Sequence, residues 1–362
     1  MFGSKSALLG VVVASCLVSG AVRAETLGYV VTTWDFAGQY TDQGKLECPN
    51  GFNPDNRDNF KAQFKTDAER EAQMKKYSNF EMRFRGPNGE VDLYNPEIVK
   101  DPLPYTDAMG TISPGVNLDG TADGRNTDKT CKHVKLTSPD GRKDVDNQMY
   151  RVTACNRATR PDGLFDSFFN NEIITKLTNR YVVEISGVDN RQNDDHVDVM
   201  LAHGLDKLVQ DANGGFVSDL SQRVDADMPR YIARTNGKIV NGVLITDPFT
   251  KVQLPTTSFL EDGEHHFKNA VLRLELKGNN ASGVLAGYHD VDRYYRFWAK
   301  TTGLHGVSNT VSPPSFWAAL KRNADGFKDP TTGQCTAISA AYDIKLVSAF
   351  VVHPPQTVAL TQ

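Results

Sequence analysis

Apolar and polar positions follow two different rhythms along the chain. From Arg180 onward, short runs of β-branched and aromatic residues recur between Asp, Asn, Gly and Pro. Residues 181–186 (YVVEIS), 196–201 (HVDVML), 238–246 (KIVNGVLIT), 251–254 and 266–277 (HFKNAVLRLELK) alternate in part with period two, which predicts strands. Asp189-Asn190, Asn213-Gly214-Gly215, Asp247-Pro248 and Gly278-Asn279 read as turns, and Asn236-Gly237 as a two-residue hairpin turn. Before Arg180 the signals are sparser. Residues 27–34 (LGYVVTTW) and 80–85 (FEMRFR) predict strands. Thr66 and Glu69 form a capping-box pair ahead of a charged helix to Tyr77, and 165–177 predicts a short helix. Pro102 and Pro104 exclude regular helix from the 94–116 loop. Near the end, Ser312 as N-cap and Pro313 at the first helical position open a helix to Ala324. Residues 335–342 read as a helical turn and 342–353 as a last strand.

Many short strands spaced by turns predict a mainly β fold, a β-sandwich or jelly-roll-like sheet pair with a few peripheral helices and long disulfide-tied loops. A loop-rich region, 25–178, precedes a β-rich region, 179–362, and the two are expected to pack as one unit.

Between the two rhythms lies a polar stretch, Asn117 to Cys155. Up to Asn147 it holds six Asp, no Glu, and six Lys and Arg, with Gly120, Gly124 and Gly141 among them. Asp119, Asp123, Asp128, Asp140, Asp146 and Asn147 are the oxygen donors calcium prefers, on a loop that glycine lets bend. The spacing is not that of an EF-hand. The competing reading is a knot of turns in which Asp and Asn cap local amides and Lys and Arg are the counter-charges.

The first 24 residues read as an export signal: Lys5, an apolar run, and Val22-Arg23-Ala24 before the cleavage point at Glu25. A lipobox-like Val13-Ala14-Ser15-Cys16 offers a second reading, a lipoprotein anchored through Cys16. Periplasmic or secreted location is the expectation, with no membrane-spanning segment after removal of the signal. Cleavage removes Lys5 and Arg23, taking the net charge from −4 to −6. That mild acidity argues against nucleic acid as a partner. Four cysteines remain, Cys48, Cys131, Cys155 and Cys335, an even number that predicts two disulfides. Proximity favours Cys131–Cys155, leaving Cys48–Cys335.

The order of motifs resembles a family of exported, uncharacterised bacterial proteins. The matching pieces are Glu47-Cys48-Pro49-Asn50-Gly51, Asn117-Leu118-Asp119-Gly120, Thr130-Cys131-Lys132-His133, Ser138-Pro139-Asp140-Gly141 and Val145-Asp146-Asn147-Gln148. Further on come 187–190 (GVDN), 193–195 (NDD), 237–244 (GKIVNGVL) and 332–339 (TGQCTAIS). The resemblance implies export and a shared fold, and no activity.

Candidate reactive groups are few. Asp194 and Asp195, and His289 with Asp290, are the carboxylates and histidine that a metal-assisted hydrolase would use. The chain has no GxSxG, P-loop, GxGxxG, HExxH, CxxC or CxxCH, so nothing in it points to haem, nucleotide or flavin. The aromatics Tyr288, Tyr294, Tyr295, Phe297, Trp298, Phe316 and Trp317 could stack on sugar rings or pack a core. The expected function is an exported binding or accessory protein for a small molecule, a glycan or an envelope protein. The alternative is a cell-envelope hydrolase.

Overall fold

A computed structural model of the protein describes residues 24–77, 96–98, 100–161, 163–258, 261–300 and 312–354. The export signal with Cys16 and the strand expected at 80–85 lie outside the described residues. The strands are β1 Glu25–Phe36, β2 Tyr181–Val188, β3 Asn193–His203, β4 Leu220–Arg223, β5 Ile232–Val240, β6 Val243–Thr246, β7 Phe249–Ser258, β8 Glu261–Lys277, β9 Asn280–Asp290, β10 Gly326–Lys328 and β11 Cys335–Val352. The helices are α1 Asn56–Ala62, α2 Asp67–Lys76, α3 Gln148–Thr153, α4 Leu164–Thr175, α5 Val291–Lys300 and α6 Pro313–Arg322.

Eight strands run β1-β2-β3-β5-β6-β8-β9-β11, and β11 pairs back onto β1, so the sheet closes into an antiparallel barrel. This replaces the expected sandwich. Alternation along a strand is the same in both architectures. What decides between them is a pairing remote in sequence, Tyr29–Phe36 with Tyr342–Ser348, which removes the free edges. β7 folds back on the first half of β8, and β4 lies parallel to the end of β11.

The barrel interior is apolar. Val31, Val183, Val199, Leu272, Leu285 and Ile344 belong to one buried cluster that runs from Leu27 to Leu346. Towards one end it becomes aromatic: Trp34 lies 5.0 Å from Tyr342, and Phe267 4.3 Å from His289, measured between ring centres. Tyr288, Tyr294, Tyr295, Phe316 and Trp317 are all buried, so of the two readings of these aromatics the core one holds for these five. Three smaller clusters form among the described residues: one, of Leu136, Val145, Tyr150, Ala154, Cys48 and Cys155, lies within the loop-rich region, and two lie against the outside of the barrel wall. Of these two, one, with Val182, Met200 and Val347, packs Val224 at the end of β4. The other, with Val271, Val284 and Ala286, is covered by Val116 beside the polar stretch.

Several local expectations meet their structure. The Thr66–Glu69 capping box is present, and Gly278-Asn279 turns β8 into β9. α6 starts at Pro313 as expected, but the Ser312 hydroxyl bonds Asp101 rather than capping. Asp101 accepts from the Ser315 amide at 3.1 Å and takes over the cap. Two expectations are corrected. Asn236-Gly237 lies inside β5, and the hairpin turn is the neighbouring Asn241-Gly242, both with positive φ, 52° and 75°. Two Asn-Gly pairs five residues apart give the same local signal, and only strand register selects one. Residues 335–342 are strand, not helix. Their alanines favour helix locally, but this segment is buried on both faces between β9 and the outer layer.

The disulfides are Cys48–Cys155 and Cys131–Cys335, which corrects the pairing expected from proximity. Cys155 follows α3, and its carbonyl accepts from the Asn53 amide at 2.8 Å, next to the Cys48 turn. The Cys131 amide donates to the Asp325 carbonyl at 2.9 Å, which carries it to the start of β11. The bridges close separations of 107 and 204 residues. In the chain-entropy model each stabilises by about 5 kcal/mol.

Two predictions follow from this architecture. Non-reducing peptide mapping should recover the linked pairs 48–155 and 131–335, and a 131–155 peptide would refute the fold around the knot. The second concerns the barrel's aromatic end. His289 donates Nδ1–H to the His266 carbonyl at 2.7 Å, and its Nε2 lies 2.9 Å from the Tyr342 hydroxyl. Burial pushes both His265 and His289 down to about 3. The unfolded chain protonates both near pH 6.5 while the folded chain does not, so their contribution is complete above that pH and is lost as pH falls towards about 3. Each removes about 1.4 kcal/mol per pH unit in that window. Urea melts across it should show His289→Gln with a shallower pH slope than wild type by about that amount. Equal slopes would contradict a neutral His289.

Candidate functional site

The polar stretch folds on the outside of the barrel as a set of single bridges rather than a sheet. Val116 pairs with Asp146, Leu136 with Val145, and Thr130 with Gly326 of β10. The turn Ser138–Gly141 closes the Leu136–Val145 ladder. Gly124 is in the left-handed region, at φ 59°, and a Cβ there would meet the His133 carbonyl at 2.2 Å. The loop can therefore lie directly on the His133 backbone, whose amide donates to the Gly124 carbonyl at 2.9 Å.

His133 and Lys135, two residues apart on an extended segment, both turn inward. Lys135 Nζ lies 2.6 Å from Asp119 Oδ1 and 2.6 Å from Asp146 Oδ1. His133 donates Nδ1–H to the Cys131 carbonyl at 2.8 Å, and its Nε2 is 2.8 Å from Asp146 Oδ1. The same Nε2 is 3.8 Å from Asp119 Oδ2 and 3.9 Å from Asp325 Oδ2. The three carboxylates are sealed from solvent, with side-chain exposure of 0% for each.

Backbone amides hold the carboxylates in place. Asp146 Oδ2 accepts from Leu118 and Asp119, Asp119 Oδ1 from Thr121, and Asp325 Oδ1 from Ser339 of β11 at 2.7 Å. Burial works against charge on Asp119, but hydrogen bonds from Lys135 and Thr121 outweigh it and hold its carboxyl below the usual range. Burial likewise works to lower His133, and the Asp146 hydrogen bond with the Asp325 charge raises it more. At Asp325 burial outweighs the His133 charge and the Ser339 hydrogen bonds, and pushes the carboxyl up to about 7. Among the described residues, Asp325 Oδ2 and the buried Tyr288 hydroxyl have no hydrogen-bond partner. Burial raises the Tyr288 hydroxyl, and so do the charges of Asp325, Asp146 and Asp119.

Of the six residues expected to hold calcium, Asp119 and Asp146 converge here and four go elsewhere. Asp123 pairs loosely with Arg125, and Asp140 pairs with Arg142. Asp128 is exposed on a cleft. Asn147 caps α3, its Nδ2 donating to Ala37 and Ser113 and its Oδ1 accepting from Ala341. Asp325, some 180 residues from the cluster in sequence, left no local signal. Lys135 did leave one, the His-x-Lys spacing that puts both side chains on one face of an extended segment.

The other expected residues lie in two separate places: Asp194 and Asp195 at the β2–β3 turn, and His289 with Asp290 at a small pocket they share with Glu264, His266 and Arg293. Asp194 caps the β2–β3 turn, accepting from the amides of Asp189, Asn190 and His196, and Asp195 stands on the β3 side of that turn. Asp290 accepts from the Arg293 amide at the start of α5. His289 has both ring nitrogens engaged inside the barrel. β3 and β9 are not neighbours in the sheet.

Beside the cluster opens a cleft of about 400 Å³ between the knot and β10. Its lining includes Asp119, Asp128, Asn269, Tyr288, Phe327 and Lys328. Gly326 lets β10 cross the Tyr288 ring, where a Cβ would come within 2.4 Å. Asn269 and Phe327, on opposing segments, both hold left-handed backbone, at φ 49° and 54°. No family model matches the chain, and no curated protein or solved structure matches it either.

The ion cluster gives one prediction. Asp146→Ala leaves the Lys135 and His133 charges buried against fewer partners and should cost about 3–5 kcal/mol. Asp123→Ala on the exposed turn should stay within about 0.5 kcal/mol. Chemical denaturation of the two variants compares them, and equal losses would mean that the cluster does not hold the knot.

Proposed function

We propose that the protein is an exported binding protein that takes a small polar ligand in the cleft between the knot and β10. Support for export comes from the leader-like first 24 residues, the resemblance to exported bacterial proteins and the two disulfides. Among the described residues no helix is long and apolar enough to cross a membrane. The barrel carries its apolar residues inside and Arg273, Glu275 and Lys277 on β8 outside, the reverse of a membrane barrel.

The lumen is packed with side chains, so a ligand is better placed on the outside of the wall. The observation that carries the cleft is its paired strain. Left-handed backbone costs a non-glycine residue on the order of 1 kcal/mol or more, and such residues persist where the surroundings force them, most often at binding sites. Here Asn269 and Phe327 flank one concavity, with Lys268 Nζ 4.8 Å from the Phe327 ring centre. A half-buried aromatic ring beside Asn, Asp and Lys side chains suits a polyhydroxylated ligand such as a sugar.

The hydrolase reading draws no comparable support, because Asp194, Asp290 and His289 spend their polar atoms on backbone amides, a carbonyl and Tyr342. Saturation-transfer NMR against mono- and oligosaccharides tests the proposal. Phe327→Ala should weaken a binder at least about tenfold, 1.4 kcal/mol. A binder unaffected by that change would move the site elsewhere, and no binder in the library would exclude the sugar class.

A further inference from the structure

We propose that Asp119, His133, Asp146 and Asp325 form a site for one first-row divalent cation, zinc or manganese in kind. The proposal holds whether or not the cleft takes a ligand. Ligand atoms of Asp119, His133 and Asp146 all lie within 4.8 Å of one another, and Asp325 Oδ2 is 3.9 Å from His133 Nε2. That is the span over which a single ion could draw four donors together.

Three features beyond an acidic cluster point to a cation. The first is the outer shell. His133 fixes Nδ1–H on the Cys131 carbonyl, which turns Nε2 into the cluster, the arrangement metal-ligating histidines use. The Asp146 and Asp325 carboxylates each anchor one oxygen on backbone amides and leave the other facing His133. The second is the orphaned atoms. Among the described residues, Asp325 Oδ2 is fully buried with no hydrogen-bond partner, and the Tyr288 hydroxyl, also buried and unpartnered, sits in the field of the same three carboxylates. Buried polar atoms without partners are rare and mark a place for a further ligand or ion. The third is anchoring: the Cys131–Cys335 bridge ties the His133 segment to the strand that carries Ser339, so the donors come from a cross-linked frame.

The donor set decides the ion. One imidazole with three carboxylates suits zinc or manganese, whereas calcium asks for six to eight oxygens and no nitrogen. Lys135 holds the cation position between Asp119 and Asp146, so it competes with the metal and must swing towards Asn117, whose Oδ1 is already 3.4 Å from Nζ.

The full mature chain, stripped with chelator, should be titrated with Zn²⁺, Mn²⁺ and Ca²⁺ by calorimetry. One zinc or manganese per chain is expected, with calcium much weaker. Asp325→Asn should weaken binding about tenfold or more, while Asp123→Asn leaves it unchanged. Lys135→Met removes the competitor: its melting temperature should fall after chelation and recover on adding zinc or manganese, with affinity at or above wild type. Zinc should also shift the ¹⁵N signal of His133 Nε2, which separates this site from surface histidines. A purely structural ion cluster predicts a destabilised Lys135→Met that metal does not rescue. That result, no saturable binding, calcium preferred, or Asp325→Asn binding as tightly as wild type would each overturn the proposal.

Discussion

The pairing of β11 is the constraint on which the rest of the structure depends. This one strand pairs with β9 along most of its length, closes the barrel against β1, accepts β10 at its start and β4 at its end. Its Ser339 amide and hydroxyl bond Asp325 and the Gln148 amide, its Ala341 amide bonds Asn147, and Cys335 is bridged to the knot. The pairing with β1 that closes the barrel cannot form before the last strand has met the first. Closing such loops costs entropy before any contact offsets it. The two disulfides span those same long separations, and so remove entropy from the unfolded chain where the topology demands most.

The sequence carried the strands and their turns because they are written locally. Tyr181–Ser186 and His266–Lys277 alternate, and the Thr66–Glu69 pair caps its helix whatever lies around it. It could not carry closure, because a strand that ends in a barrel and one that ends in a sandwich have the same local pattern. β11 shows the limit most clearly. Buried on both sides at Ile338–Tyr342, it loses the alternation that identifies a strand, and its alanines then read as helix. At the site, Asp119 and Asp146 were legible as acids in a glycine-bent loop. Asp325 and Tyr288 were not, since only the fold of β9 and β10 over the knot brings them there.

The knot has a small core of its own, Leu136, Val145, Tyr150 and Ala154 packed with Ala108 and the Cys48–Cys155 bridge, and a polar cluster beside it. It meets the barrel through Met149 and Val152, which join the main core, and through half-buried Leu118 and the adjoining Val116 over Val271, Val284 and Ala286. What remains is polar: carboxylates capped by amides, an imidazole locked between a carbonyl and a carboxylate, and an ammonium shared by two aspartates. Buried ion pairs of this kind add little net stability, because desolvation cancels much of the attraction. Their value lies in the cost of any other arrangement. A slip of one residue along 133–136 would point His133 and Lys135 to solvent and leave Asp119 and Asp146 buried without counter-charge. The cluster thus reinforces the register that buried Leu136 and Val145 also favour.

That register bears on the cleft. Asn269 sits at the irregularity in β8, where pairing with β9 shifts between Lys268 and Val271. Phe327 sits in the three-residue β10, held by a Thr336 hydroxyl donating to its carbonyl at 2.9 Å. Neither backbone is favourable alone, and each is kept by regular pairing on both sides: β8 continues into β6 and β9, and β10 is hydrogen-bonded to β11 on one edge and bridged to Thr130 on the other. A knot in a single register is what fixes Thr130 and so holds that second edge. The buried charges, the strained cleft wall and the closing strand therefore form one mechanical unit, in which the barrel supplies rigidity and the knot supplies the chemistry set against it.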